Sequence, residues 1–317
     1  EELPELRLHY KDYAFWQRAQ AQEGFQKEEA YWESMFASEL PVLQLMTDEP
    51  RPPVQSFEGD RVSAVLPKDL KEKLAVLAEQ NGATLYMVML SAYNMLLAKY
   101  SGQEDVIVGT PAAGRRHSDL EGIIGMFVNT LAIRSKVDPG RTFADFLNDV
   151  KKTVIDAFEH QDYPFERLAE KFGASRDLSR HPIFDTMFIL QNAWEDIPLL
   201  GDLHLSIYET NFNIAKFDLT LQAKEEQGEL ILDLDYSTKL FKKDTAERML
   251  KAYLNLLEDM AADPMLRIGE YSLLTEEETN RQLVAFNPAT SDYPREKTIG
   301  QQFEEQAAER GGYPALQ

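Results

Sequence analysis

The stretch Thr84-Leu-Tyr-Met-Val-Met-Leu-Ser-Ala-Tyr-Asn-Met-Leu-Leu-Ala-Lys-Tyr-Ser-Gly-Gln-Glu-Asp-Val-Ile-Val-Gly109 decides the fold class of this chain. Thr84 can cap a helix whose side chains are apolar almost all round, and such a helix is expected to be buried. The short apolar run from Asp105 to Gly109 is typical of a strand that is covered on both faces. A buried helix followed directly by a buried strand predicts an α/β core.

The same alternation continues on both sides of this stretch. A helix with Leu70, Leu74 and Leu77 on one face precedes it, and Thr142 with Asp145 opens a later helix through a capping box. Strands alternate with helices early in the chain and form a hairpin late, which predicts a mixed sheet covered by helices. The predicted strands are residues 61–66, 105–109, 126–133, 183–191, 203–208, 217–223 and 229–236.

Composition limits the class of protein. The net charge of −21 disfavours nucleic acid as a partner, because a phosphate backbone would be repelled. No run of 18 apolar residues occurs in the sequence, so we expect no membrane span. The chain has no cysteine, which excludes disulfides and thiolate metal sites. The acidic N-terminus does not resemble a signal peptide, and a cytoplasmic location is expected.

Four short motifs follow one another along the chain. They are Tyr10-Lys-Asp-Tyr-Ala-Phe-Trp16, Ile124-Gly-Met-Phe-Val-Asn-Thr130, His160-Gln-Asp-Tyr-Pro-Phe-Glu166 and Arg176-Asp-Leu-Ser-Arg-His-Pro-Ile-Phe-Asp185.

In this order the motifs resemble the later half of the condensation domain of nonribosomal peptide synthetases. The resemblance implies an α/β fold like that of chloramphenicol acetyltransferase, in which two halves form a V around a channel. It also implies the activity. Carrier proteins dock at the two mouths of the channel, and each brings an acyl group on a phosphopantetheine arm. An amine on one arm then attacks the thioester on the other, and antibiotic peptides are typical products.

The catalytic motif of that family, His-His-x-x-x-Asp-Gly, is absent, because the five histidines of this chain include no adjacent pair. The resemblance therefore implies a C-terminal half without the catalytic histidine, inactive by itself, whose partners are carrier proteins, an N-terminal half and an adenylation domain. No directly bound cofactor is expected. The predicted parts are 1–56 (a helical stretch over 11–37 and a proline-rich connector), 57–285 (the C-terminal subdomain), 286–297 (a linker) and 298–317 (the start of an adenylation domain).

The loop Gly109-Thr-Pro-Ala-Ala-Gly-Arg-Arg116 allows close approach of the backbone and ends in two arginines. It can be read as a surface turn with solvated charges. The family resemblance implies instead that Arg115, or failing that Arg116, pairs with the aspartate of the absent motif and orients the catalytic loop.

Asn129 and Thr130 are polar residues in an otherwise apolar strand. A buried amide needs hydrogen-bond partners, so it often fixes a loop. The resemblance implies that this strand lines the channel, and a hydrogen bond at a strand edge is the alternative. Tyr13 and Trp16, by contrast, are interpreted as core residues.

His160 is the strongest candidate for a general base, since it sits at a helix end beside Asp162. The alternative is that it ends the helix over 142–159 and fixes the loop that follows, and the family resemblance favours that scaffold role. His181-Pro-Ile-Phe-Asp185 is interpreted as packing, and the spacing of the histidines predicts no metal site.

Two other classes of function stay open. One is an acyltransferase of the same fold with a small-molecule acceptor, against which the helix-like tail over 298–310 argues. The other is a catalytically silent, condensation-like domain that recruits a partner protein.

Overall fold

The computed structural model describes residues 5–23, 25–173, 177–191, 213–226, 228–287 and 296–312. The chain divides into two compact units, Glu1–Leu273 and Leu274–Gln317. The described helices are α1 Tyr10–Glu23, α2 Gln26–Met35, α3 Lys68–Gln80, α4 Leu85–Ser101, α5 Phe143–Glu159, α6 Phe165–Phe172, α7 Lys243–Ala262, α8 Glu276–Asn280 and α9 Ile299–Glu309. The described strands are β1 Gly59–Leu66, β2 Asp105–Ala112, β3 Asn129–Lys136, β4 Thr186–Gln191, β5 Leu219–Glu226 and β6 Glu229–Ser237.

The described strands form one six-stranded sheet in the order β1-β6-β5-β4-β2-β3. β4 pairs in parallel with both β2 and β5, and the other neighbours pair antiparallel. This is the mixed sheet that the sequence predicts. The predicted hairpin is β5 and β6, with Gly228 in the turn at φ 80°. The predicted strand over 203–208 lies outside the described residues.

Helix α4 is the most deeply buried element of the first unit. Its side chains from Met87 to Leu97 are all buried, as the nearly uniform apolar sequence predicts. It packs among α3, α5 and α7 and against β2. Thr84 caps it by accepting a hydrogen bond from the Met87 amide at 3.3 Å. Burial of this helix joins the helical layer to the sheet in one hydrophobic core.

Two strands begin later than alternation alone suggests. β3 begins at Asn129 rather than Met126, and β4 begins at Thr186 rather than Ile183. In each case the partner strand sets the limit. Asn129 pairs with Ala112, the last residue of β2, and Thr186 pairs with Leu219, the first residue of β5. A strand needs a hydrogen-bonded neighbour, and alternation does not reveal where the neighbour ends.

The predicted helical stretch over 11–37 is two helices. Phe25 separates α1 from α2 in the left-handed backbone region, at φ 45° and ψ 38°. This conformation is uncommon for a bulky residue. Phe25 is 6% exposed, and its ring lies 6.0 Å from that of Tyr163. The contact holds the break in place.

Trp32 anchors α2 to the rest of the first unit. Its side chain is 2% exposed and belongs to the same hydrophobic core as the sheet. Its indole Nε1 donates a hydrogen bond of 3.2 Å to the His160 carbonyl at the end of α5. The helical stretch therefore packs on the α/β unit.

Replacement of Gly109 by alanine should destabilise the first unit. A Cβ at Gly109 would lie 2.2 Å from the Phe184 ring, and that ring is packed against His181 and Phe217. We expect Gly109→Ala to lower the free energy of unfolding by about 1–3 kcal/mol in chemical denaturation, the usual cost of overpacking. Gly122→Ala is the control, because its Cβ would meet only a Leu6 methyl group at 3.4 Å. Equal stabilities would contradict the packing described here.

Candidate functional site

Three of the four motifs line one cleft of about 500 Å³ in the first unit. They come from α1, from the segment before β3, and from the loop between α5 and α6. Because these segments are far apart in the sequence, only the fold brings them together. The residues around the cleft are Tyr10, Tyr13, Ala14, Gln17, Arg18, Phe25, Gly114, Met126, Phe127, Val128, Asn129, Gln161, Asp162, Pro164 and Glu166.

Phe127 is the residue of this cleft on which α1 and the loop after β2 both pack. It is 4% exposed, and its ring lies 4.6 Å from that of Tyr13 and 5.3 Å from that of Tyr10. The Tyr10 hydroxyl donates a hydrogen bond of 3.0 Å to the Met126 carbonyl. Gly114 approaches the Phe127 backbone so closely that a Cβ there would overlap its carbonyl oxygen, and its φ of 68° also favours glycine. These contacts attach α1 and the loop after β2 to the same point.

Tyr13 and Trp16 are not core residues, contrary to the sequence prediction. Tyr13 is half-buried and lines the cleft, and Trp16 is 45% exposed. Burial raises the pKa of the Tyr13 hydroxyl, and the nearby Asp162 carboxylate raises it further. Aromatic residues at helical spacing indicate an apolar face, but they do not show whether that face meets the core or a cleft.

The two arginines of the loop after β2 have different surroundings. The Arg115 guanidinium lies 4.1 Å from the centre of the Phe127 ring and donates to the Leu120 carbonyl. Among the described residues, no carboxylate lies within ion-pair distance of it. Arg116 instead forms an ion pair of 2.7 Å with Asp162. Arg115 is therefore held by an aromatic face and a backbone carbonyl, while Arg116 is held by Asp162, a residue of the cleft.

Asn129 is fully hydrogen-bonded. Its Nδ2 donates to the carbonyls of Gln161 and Tyr163, both at 2.7 Å. Its Oδ1 accepts from the amides of Thr130 at 2.8 Å and Phe165 at 3.2 Å. Thr130 is half-buried and pairs with Pro111 across the β2–β3 ladder. The amide ties the first residue of β3 to the loop before α6.

His160 ends α5, and its ring is enclosed. Its backbone amide bonds the last turn of the helix, and its Nδ1 donates to the Asp156 carbonyl at 2.7 Å. The ring stacks on Tyr31 at 4.3 Å with an angle of 9° between the planes. The residue is 9% exposed and does not line the cleft. This geometry favours the scaffold role over that of a general base.

The described residues of the fourth motif, 177–185, do not line the cleft. The His181 ring lies 4.6 Å from that of Phe184 and 5.0 Å from that of Phe217, and burial lowers the pKa of His181 to about 4. Asp185 pairs with Arg180. Burial raises the pKa of Asp185 to about 6, and the neighbouring Asp218 charge adds to the shift. These side chains stabilise the entry to β4, in agreement with the interpretation as packing.

In the part of the chain that the structure describes, no group of three histidine, cysteine, aspartate or glutamate side chains is arranged to hold a metal ion. Nor does any described helix have the length and apolar character to cross a membrane.

Replacement of His160 by alanine should lower stability. The variant loses the stacking on Tyr31 and the bond to the Asp156 carbonyl, and it leaves a gap beside the Tyr31 ring. We expect the free energy of unfolding to fall by about 1–3 kcal/mol in chemical denaturation. His117→Ala is the matched control, because the His117 side chain is 68% exposed. If both variants were as stable as the parent chain, the scaffold role of His160 would be wrong.

The pKa shifts of His181 and Asp185 predict opposite dependences of stability on pH. Folded His181, with a pKa of about 4 against 6.5, binds fewer protons than unfolded His181, so its contribution to stability rises with pH in this window. Folded Asp185, with a pKa of about 6 against 3.8, binds more protons than unfolded Asp185, so its contribution falls as pH rises.

His181→Phe removes the first contribution and leaves the second. As the pH rises from about 4 to about 6.5, the free energy of unfolding of this variant should therefore fall relative to that of the unsubstituted chain. Urea denaturation at a series of pH values measures this difference, with His117→Phe as the control. A difference that stays constant over this range would contradict the assignment.

Comparison with known proteins agrees with this architecture. The model of the condensation-domain family matches residues 1–284. The chain is 63% identical over 317 residues to surfactin synthase subunit 1 of Bacillus subtilis (strain 168). The match covers 100% of this chain and 9% of that subunit. The chain thus spans a small part of this relative.

Two solved structures share the fold. A four-domain nonribosomal peptide synthetase bound to AMP and glycine matches 90% of this chain and 23% of its own, with a TM-score of 0.75 and 26% identity. The X-domain from teicoplanin biosynthesis, solved in complex with OxyB, matches 87% of this chain and 62% of its own, with a TM-score of 0.77 and 26% identity. The predicted chloramphenicol acetyltransferase-like fold is confirmed. This chain belongs to the condensation-domain family of nonribosomal peptide synthetases.

Proposed function

We propose that this chain is the C-terminal subdomain of a condensation domain that forms amide bonds between acyl groups carried on phosphopantetheine arms. The observation that carries the proposal is the convergence of three family motifs on one cleft. Residues 57–285 would form the subdomain, with 1–56 as the inter-subdomain helices and connector. Residues 286–297 would be the linker, and 298–317 would open an adenylation domain.

The reaction needs few groups from this subdomain. The amine of one carrier-bound aminoacyl group attacks the thioester carbonyl of the other, the C–N bond forms, the C–S bond breaks, and the donor arm leaves as a thiol. Assistance at the amine belongs to the His-His-x-x-x-Asp-Gly motif, which this sequence does not contain. Positioning of both arms supplies much of the rate, and that is the role proposed for the cleft.

The residues at and beside the cleft have different proposed roles. Asn129, which borders the cleft, and the neighbouring Thr130 are proposed to line the channel. Arg115 is proposed to reach the aspartate of the absent motif once the N-terminal subdomain is in place. Its present contacts with Phe127 and Leu120 keep a charged group near the cleft without a carboxylate among its described neighbours. Arg116 is the second candidate, although it already pairs with Asp162.

The proposed partners are peptidyl carrier proteins, the N-terminal condensation subdomain and an adjacent adenylation domain. The family of the chain and its likeness to synthetases of several domains support this set. No cofactor is proposed to bind the chain directly, because the phosphopantetheine arms arrive on the carriers. The cytoplasm is the proposed location.

A partner-recruiting domain without catalysis is the second candidate. The likeness to an X-domain solved in complex with OxyB favours it, since the TM-score of 0.77 is close to the 0.75 of the peptide synthetase. The identity of 63% to a surfactin synthase subunit supports the peptide-forming function instead.

Reconstitution of the two subdomains tests the proposal. Donor and acceptor carriers loaded with aminoacyl groups should give no dipeptide with this chain alone, and should give it once the separate N-terminal subdomain is added. Mass spectrometry detects the product. Dipeptide formed by the chain alone would place the catalytic group among its own residues, and no dipeptide from the combined subdomains would favour the recruiting domain.

The same assay tests Arg115. Arg115→Ala should remove most of the condensation activity, because an uncompensated charge in a buried pair typically costs about 3–5 kcal/mol. Adenylation by the parent synthetase should be unchanged. Arg141→Ala is the control, since that arginine forms an exposed ion pair with Asp149 away from the cleft. Normal condensation by Arg115→Ala would contradict the pairing.

A further inference from the structure

We infer that Asn129 is a positioning residue whose side-chain amide holds the loop over 160–165 in place as one wall of the cleft. The inference rests on the proposed function only in its catalytic consequence. The ordering of the loop by Asn129 can be tested on this chain alone. Asn129 would not touch the reacting atoms, and it would act through the loop.

The hydrogen bonds of Asn129 match the capacity of an asparagine. The two Nδ2 hydrogens go to the carbonyls of Gln161 and Tyr163, each at 2.7 Å. Both acceptor positions of Oδ1 are occupied by the backbone amides of Thr130 and Phe165. Three of these four bonds reach the loop, and the fourth reaches the next residue of the strand.

No other side chain of similar size fits these partners. Aspartate keeps the acceptor but would place a second oxygen at 2.7 Å from two carbonyl oxygens, where it cannot donate when ionised. Leucine has a similar shape without donor or acceptor, and it would leave two carbonyls and two backbone amides without these hydrogen bonds. Half-burial of the site makes such losses more costly than they are in water.

Asn129 joins a rigid element to the loop that depends on it. It is the first residue of β3 and pairs with Ala112, so the sheet fixes its backbone. The loop supplies Gln161 and Asp162 to the cleft, and Asp162 pairs with Arg116. Through one amide, the sheet therefore sets the positions of a cleft wall and of the arginine opposite it.

Hydrogen exchange tests the ordering of the loop on this chain. Asn129→Ala should speed exchange of the amides over 160–167 by roughly tenfold, because the Phe165 amide loses its acceptor. Exchange in α4 should stay as in the unsubstituted chain. Asn129→Asp is the second variant, which keeps the volume if alanine prevents folding.

Asn94→Ala is the matched control. Asn94 also carries a side-chain amide, and it is 0% exposed. It lies on α4, away from the cleft, and its Nδ2 donates a hydrogen bond of 3.1 Å to the Ser135 hydroxyl. It should lower the stability of the whole unit without a local effect at the loop. Unchanged exchange over 160–167 in both Asn129 variants would overturn the inference.

Steady-state kinetics in the full parent synthetase test the positioning role. We expect Asn129→Asp to lower kcat/KM for the loaded carrier on the order of 100-fold, with a rise in KM, as misplacement of a substrate by about 1 Å does. A loss of folded enzyme alone would lower kcat and leave KM unchanged, as expected for Asn94→Ala. That pattern in Asn129→Asp would overturn the inference. Failure of the unsubstituted parent to form a peptide bond would refute the proposed function and leave the exchange result standing.

Discussion

The antiparallel pairing of β2 with β3 is the constraint on which the cleft depends. Ala112 and Asn129 are the last pair of this ladder, so both strands stop at the same level of the sheet. Beyond it the chain has no strand partner, and residues 113–128 form the loop that carries Arg115 and Phe127. The ladder therefore decides where the regular core ends and where a cleft can begin. A shift of the register by one residue would turn Asn129 to the other face and separate it from its loop.

The cleft is built by contacts between aromatic rings and by bonds to backbone carbonyls. The Phe127 ring contacts Tyr10 and Tyr13 of α1 and also the Arg115 guanidinium. Such contacts bury apolar area and have preferred geometries, but each contributes only about 0.5–1.5 kcal/mol beyond burial.

Residues of the fourth motif take part in a network of ion pairs where the central strands β4 and β5 begin. Asp218 forms two hydrogen bonds with Arg51, one of them at 3.0 Å, and Asp185 pairs with Arg180. Arg180 also donates to the Leu43 carbonyl at 2.9 Å. Two carboxylates buried at the entries to β4 and β5 are thus paired with arginines, one of which comes from the connector. Buried charges persist when they are paired, and removal of either partner is strongly destabilising. This network fastens the proline-rich connector to the sheet.

The sequence by itself determined the class of fold, most helices and strands, the family and the polar residues that matter. Local patterns suffice to predict α4, α5 and the β5–β6 hairpin. These patterns are helix capping, the distribution of apolar residues along a helix, and the alternation of residues in two strands around a turn. The sequence also singled out Asn129 as an amide that would fix a loop. It could not show which loop, since Gln161 and Tyr163 are more than 30 residues away and meet Asn129 only in three dimensions. It placed Tyr13 and Trp16 in the core, because helical spacing reports an apolar face but not what faces it. Only the tertiary structure decided that the face borders a cleft, that Arg115 rests on Phe127, and that strand β3 begins at Asn129. Those facts depend on where a distant partner strand ends, and no local pattern contains that information.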